Sequence, residues 1–171
     1  MSIYCISVRT GLEEKFKESI ELAAEKSLQT VPGIIHLLKK KMKLKNGKEY
    51  FEQFFPGYVF LETDETDFTK FRFFRSGKGF LRFLPSDTDI HPLVNNDFEI
   101  VRSIINYGSV MGIVSVEFDE NDRIVITEGP FKNMSGRVVA VNKRNKRLNI
   151  SLDFMGGAKI VGLSYEIVKK S

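Results

Sequence analysis

At 171 residues and 42% hydrophobic content, the chain can bury one ordinary core or two small ones. It contains no run of about 18 apolar residues and no basic stretch leading into an apolar one, so neither a membrane span nor a signal peptide is expected, and a soluble, cytoplasmic monomer without membrane attachment is. Cys5 is the single cysteine, which rules out a disulfide within the chain, and the net charge of +4 is unevenly placed: residues 1–118 carry 16 Lys/Arg and 16 Asp/Glu, leaving 10 and 6 for the remainder. Basicity confined to the last third is the footprint of a nucleic-acid surface, although a small basic domain can equally be just soluble.

Apolar residues from Ile3 to Val8 predict a first strand. Thr10 with Glu13 three positions on fits a capping box, and Leu12, Phe16, Ile20, Ala23, Ala24 and Leu28 then recur at helical spacing up to the Pro32-Gly33 break. Asn46-Gly47 predicts a hairpin with a type I′ turn, since both residues tolerate positive φ. Its lysines, Lys39, Lys40, Lys41, Lys43, Lys45 and Lys48, read as the solvated side of the hairpin, with a weak nucleic-acid contact as the alternative. In the following stretch, Glu52 to Glu62, Pro56 biases Phe55 toward extended backbone. Beyond the break, Tyr58 and Phe60 take one face of a strand, Val59 and Leu61 the other, so both faces are apolar.

Residues 71–84 add an aromatic-rich segment with a turn at Ser76 to Gly79, and a second helix is predicted around Phe98, Val101, Ile104 and Ile105, with Asn96 as cap and Glu99 at its third position. Strand and helix signals alternate to this point, which favours an α/β sandwich. Residues 107–117 read as an apolar connection that either pairs as a strand or lies against a domain. From Phe118 onward the pattern is all-β: "RIVIT", "GRVVAVN", "RLNISLDF", "AKIVGLS" and "YEIVKK" predict five short strands of a small barrel.

No enzyme is expected. His36 and His91 lie in no metal-ligand spacing, and no nucleophile elbow, phosphate loop or dinucleotide glycine pattern occurs, so no catalytic residue, metal or cofactor is assigned. The first half poses a packing problem instead. One helical layer leaves one sheet face open, so Tyr58, Phe60 or their opposites, with some of Phe73, Phe74, Phe80 and Phe83, face either a partner or a covering element of the chain itself.

"FFPGYVFLE" and "EGPFKNMSGRVVAVNKRNKRLNISL" resemble, respectively, the N-terminal signature of the NusG family of bacterial transcription elongation factors and a KOW motif. They stand in family order, and "IYCISVRTGLEEK" is similar to the family's start, so the likeness covers nearly the whole chain. It implies an α+β protein: residues 1–106 as an N-terminal α/β sandwich with a mainly antiparallel sheet, 107–117 as a linker, and 118–171 as an SH3-like KOW barrel. It further implies that Phe55, Pro56, Tyr58 and Phe60, with Phe83, bind the clamp helices of the largest RNA polymerase subunit. Burying such rings is worth roughly 1.5 to 3 kcal/mol each. The likeness also makes Arg72 and Arg75 candidates for contact across the polymerase's DNA channel or with the DNA, ordinary surface residues being the favoured reading.

In the barrel, Gly136 takes the motif's glycine, where no room for a Cβ is expected. Lys143, Arg144, Lys146 and Arg147 crowd one hairpin tip, which favours phosphate binding to nascent RNA, with Lys132 and Arg137 extending the patch. Ile3 stands where the family commonly has Trp, and Met155, Gly157, Ile160 and Gly162 replace the Phe, Arg, Pro and Glu of the loop tied to Rho and ribosomal protein S10, which counts against both partners. The expectation is a specialised antitermination paralogue; a housekeeping factor coupling polymerase to Rho or a ribosome, and a ribosome-associated KOW protein, are the alternatives.

Overall fold

The structure, a computed structural model, describes residues 1–168. In chain order its elements are β1 (Ser2–Val8), α1 (Glu13–Ser27), β2 (Ile34–His36), β3 (Lys39–Lys43), β4 (Glu49–Gln53), β5 (Tyr58–Thr63), a 3-10 helix (Phe68–Ser76), β6 (Phe80–Phe83), β7 (Pro85–Ser86) and β8 (Asp89–Ile90). There follow α2 (Asn95–Asn106), β9 (Val110–Met111), β10 (Val114–Phe118), β11 (Ile124–Ile126), a short 3-10 turn (Ser135–Arg137), β12 (Val138–Asn142), β13 (Arg147–Phe154) and β14 (Gly157–Ile167). The chain has the expected α+β character, strand-rich with few helices.

Two compact units result, one of residues 1–38 and 55–94, the other of 39–54 together with the described residues from Asn95 on. This division differs from a boundary at Asn106: the hairpin β3–β4 and helix α2 group with the barrel strands. Their contacts explain it, because the Lys43 amide donates to Ser164 Oγ at 3.0 Å and the Asn96 amide group to the Asp153 carbonyl at 2.7 Å.

The first unit is built on a sheet of order β2-β5-β1-β6, every pair antiparallel. Tyr4, Ile6 and Val8 of β1, Val59 and Leu61 of β5 and Ile35 of β2 form one face, which packs against Phe16 and Ile20 of α1 and Phe71 and Phe74 of the 3-10 helix. The aromatic run is thus largely its own cover: residues 68–76 coil rather than extend, and the Asp67 carboxylate caps the turn by accepting the Thr69 amide at 3.0 Å. Helix α1 follows the predicted stripe at Phe16, Ile20 and Ala24, but Leu28 leaves it. Leu28 is 94% exposed at φ +53, ending the helix in a left-handed cap in which the Gln29 amide reaches back to the Ala24 carbonyl.

The second unit carries a five-stranded sheet of order β11-β10-β14-β13-β12 and a three-stranded one of order β4-β3-β9. The apolar connection is used as strand: Val110 and Met111 pair in parallel with β3, and Val114–Phe118 is the strand that joins β11 to β14. "AKIVGLS" and the described part of "YEIVKK" are not two strands; Lys169 and Lys170 lie outside the described residues. No turn residue separates Ser164 from Tyr165, so β14 runs on, pairing with β13 over its first part and β10 over its last. The Asn46-Gly47 hairpin forms, with a different turn: only Gly47 has positive φ (+89), its amide closes onto the Leu44 carbonyl, and the Asn46 side chain accepts the Lys48 amide at 2.9 Å. Gly136 is not squeezed, since nothing lies within 4 Å of a Cβ built there.

Candidate functional site

The turn between residues 55 and 58 is fixed from three directions. Gly57 sits at φ +86, a conformation that excludes most side chains, and a Cβ there would lie 3.1 Å from Thr10 Oγ1 and 3.3 Å from the Val8 carbonyl oxygen. The Gly57 carbonyl accepts the Val8 amide at 2.8 Å, and the Tyr58 amide closes the turn onto Phe55 at 3.1 Å. Finally, the Gly57 amide donates to Glu13 Oε1 at 2.7 Å, while Glu13 Oε2 accepts the Gly11 amide at 3.0 Å. Glu13 therefore does not complete a capping box with Thr10: helix α1 begins at Glu13 itself with no side-chain cap, and the buried carboxylate reaches across the chain to the turn.

This turn brings together four of the five aromatic-site candidates. Pro56 is exposed and Tyr58 half-buried, while Phe55 and Phe60 are only 4% and 1% exposed and meet edge to face at 6.1 Å. Phe83 is elsewhere. On β1, Cys5 pairs with Phe60 and Ile6 with Phe83, and adjacent strand residues point to opposite faces, so the two rings lie on opposite sides of the sheet. Phe83 is fully buried, stacked on Phe71 at 5.6 Å and edge-on to Phe74 and Phe80. The alternative of an open aromatic face is not what the fold builds: Phe60, Phe74 and Phe83 are buried, and Phe73 and Phe80 half-buried. Accessible apolar surface at the turn narrows to Pro56 and part of Tyr58.

The basic candidates divide into engaged and free. Lys143 Nζ is bonded to the Asp122 carboxylate and lies over the Phe118 ring at 4.8 Å; Arg137 pairs with Asp153 at 3.3 Å. Arg147 is half-buried and donates through Nη2 to the Tyr50 hydroxyl at 3.0 Å and the Lys43 carbonyl at 3.3 Å, so it works as a brace between β13 and the β3–β4 hairpin. Arg144, Lys146 and Lys132 are exposed and form no ion pair among the described residues. The tip itself is shaped by Lys146 at φ +51 and by the Asn142 side chain accepting the Asn145 amide at 3.0 Å.

Lys40 is the one hairpin lysine that sequence pattern mislabels as solvated. It is 5% exposed, with Nζ donating to the Gly162 carbonyl at 2.5 Å and paired with Glu52 at 3.5 Å. Burial pushes its pKa below the usual lysine value, and Glu52 only partly offsets that. Glu52 is the cross-strand neighbour of Lys40 on the hairpin, but Gly162 and, for Glu13, Gly57 lie 122 and 44 positions away, where sequence pattern does not reach. His36 Nε2 lies 3.2 Å from Glu62 Oε1; among the described residues no group of three or more His, Cys, Asp or Glu is placed to hold a metal ion. No described helix is long and apolar enough to cross a membrane.

Comparison with known proteins adds a family. The family model described as "Transcription termination factor nusG" matches residues 1–102. The transcription termination/antitermination protein NusG of Neisseria meningitidis serogroup B is 24% identical, covering 98% of this chain and 96% of that protein. The protein of the same name from Rickettsia prowazekii is 23% identical over 98% of this chain and 89% of its own length. Among solved structures, one described as domain interaction in Thermotoga maritima NusG superposes with a TM-score of 0.62 at 23% identity, covering 95% of this chain and 93% of that one, which shows a shared fold.

Proposed function

The chain belongs to the NusG family of transcription termination and antitermination factors, and from that premise we propose that it is a non-enzymatic cytoplasmic elongation factor binding the clamp helices of the largest RNA polymerase subunit. The contact is made at the Phe55–Phe60 turn, and the factor promotes processive antitermination. The observation that carries this reading is the rigidity of the turn: Glu13, Val8 and Phe55 hold its backbone so that Pro56 and Tyr58 are presented without further ordering. A preformed contact loses less conformational entropy on binding. Phe55 and Phe60 support the turn from beneath; Phe83 belongs to the core and is left out of the contact.

Arg144 and Lys146 at the barrel tip, with Lys132, are the cations we assign to nascent RNA, because they are exposed and uncommitted. Non-template DNA is a further candidate ligand. Rho and ribosomal protein S10 are left out, since Met155, Gly157, Ile160 and Gly162 depart from the loop associated with them; this favours a specialised paralogue over a housekeeping factor.

Capture of core RNA polymerase by the tagged chain tests the main reading. Pro56→Ala should weaken capture while leaving thermal unfolding close to that of the parent, and Tyr58→Ala should weaken it in protein that is still folded at the assay temperature. Loss of a Tyr ring contact worth roughly 1.5 to 3 kcal/mol predicts about a tenfold to hundredfold drop for Tyr58→Ala. Retention of full polymerase binding by both variants would refute the proposal.

A further inference from the structure

We infer that the tips of two hairpins in the second unit form one cationic groove that grips the sugar-phosphate backbone of a single-stranded nucleic acid. The groove has a volume of about 440 Å³ and lies between Lys43–Gly47, the end and loop of the β3–β4 hairpin, and Arg144–Lys146, the tip of the β12–β13 hairpin. Ser164, Tyr165 and Ile113 also line it, the first two buried. Lys43 and Lys45 stand on one side, Arg144 and Lys146 on the other; all four are exposed, and none is in an ion pair among the described residues. Glu166 is the sole carboxylate residue of the lining.

The contrast with neighbouring cations is what gives the groove meaning. Lys40 is matched by Glu52, Lys41 by Glu49 and Lys143 by Asp122, whereas the four cations of the groove are in no ion pair among the described residues. Like charges held near one another repel, and left to themselves the two tips would separate. They are instead tied at the backbone, by the Lys43 amide on Ser164 Oγ and by Arg147 on both the Lys43 carbonyl and the Tyr50 hydroxyl, 104 and 97 residues away in sequence. A fixed, uncompensated array of four cations with one carboxylate fits a chain of phosphates, each of which releases condensed counterions on contact. A concave cleft with cations on both sides suits one strand lying within it, and the duplex arm of the test below decides against a double helix.

This inference rests on the proposal that the barrel tip contacts RNA and adds the β3–β4 hairpin, which that proposal does not need. The test uses the full chain and fluorescein-labelled twelve-nucleotide oligouridylate and oligothymidylate, with anisotropy read across a salt series. Four phosphate contacts predict a slope of about −3 in log K against log salt, at roughly 0.7 per contact for a single strand. Lys43→Gln/Lys45→Gln and Arg144→Gln/Lys146→Gln should each reduce that slope by about half, and the fourfold variant should abolish it. Tighter binding of the uridylate would identify RNA as the strand held, and equal binding the phosphate chain alone; both support the groove. If the Arg144/Lys146 pair matters and the Lys43/Lys45 pair does not, the groove is refuted and the barrel-tip reading survives. If neither matters, both fall. Equal loss in the Lys15→Gln/Lys17→Gln control on α1, or tighter binding of a duplex of the same length, would also overturn the inference.

Discussion

Glu13 and Gly57 are 44 residues apart in sequence and joined by a buried hydrogen bond of 2.7 Å from the Gly57 amide to the Glu13 carboxylate. The bond ties the start of α1 to the turn that presents Pro56 and Tyr58. Removing one partner of a buried bond to a charged group costs more than the bond contributes, because the other partner is left dry and unsatisfied. Glu13→Ala is therefore expected to destabilise the protein by about 1–3 kcal/mol in urea unfolding. Hydrogen exchange at the Gly57 amide should quicken in the folded state, and Glu13→Gln, which keeps one acceptor oxygen, should cost less. An unchanged Gly57 exchange rate in Glu13→Ala would mean the turn is held without the carboxylate.

Gly77 supplies a second prediction, from packing alone. Its φ is −64, ordinary for any residue, but a Cβ there would fall 2.3 Å from Cε2 of Phe16 and 3.0 Å from Cδ1 of Ile20. Both neighbours are fully buried core side chains with no free volume to move into. Gly77→Ala should then cost about 1–3 kcal/mol as overpacking. Gly112, whose added Cβ would meet nothing within 4 Å, is the control: Gly112→Ala should be neutral or stabilise by up to about 1 kcal/mol, through the unfolded state. Equal effects at both sites would remove close packing as the cause.

Local signals carried most of the elements, and long-range pairing decided what they were for. The stripe at Phe16, Ile20 and Ala24 and the turn residues at Asn46-Gly47 were legible because helix period and turn chemistry are properties of neighbouring residues. The 3-10 helix at 68–76 was not, since a run of rings suits an extended strand as well as a coil until the sheet it must cover is known. Likewise four charges at residues 143–147 are visible as a cluster, yet Lys143 and Arg147 are occupied by Asp122 and by Tyr50, and only tertiary structure separates them from Arg144 and Lys146. The residues of the turn at 55–58 signal a bend; its anchor, Glu13, has the spacing of a local cap, and nothing in sequence points 44 positions ahead.

Arg147 should behave as a positioning residue rather than as one more cation. Arg147→Lys keeps the charge but not the length and planar geometry that bring Nη2, the one nitrogen donating to both the Tyr50 hydroxyl and the Lys43 carbonyl, into place. Amide exchange in β3 and β4 is expected to quicken, with a loss of about 1 kcal/mol in stability. Tyr50→Phe removes one of the two acceptors and should give a smaller change in the same amides. Protection of β3 and β4 indistinguishable from the parent in both variants would count against a brace.

Lys40 makes stability depend on alkaline pH in a direction the structure fixes. Burial places its folded pKa below the value of about 10.4 that an unfolded lysine has. Between those two values the unfolded chain binds more protons than the folded one, so unfolding free energy rises with pH; below the window the cost of burying the cation is present in full. Tyr4 and Tyr165 act oppositely. Burial raises their pKa, so their contribution is complete below about pH 10 and is lost above it. Both tyrosines remain in Lys40→Met, and subtracting that variant's stability from the parent's leaves the lysine alone. The difference, measured by urea unfolding from pH 7 to pH 10, should climb as pH rises in favour of the parent. A difference that stays level or falls would mean that the ammonium is as well solvated in the fold as outside it, and that its bonds to Gly162 and Glu52 fully replace water.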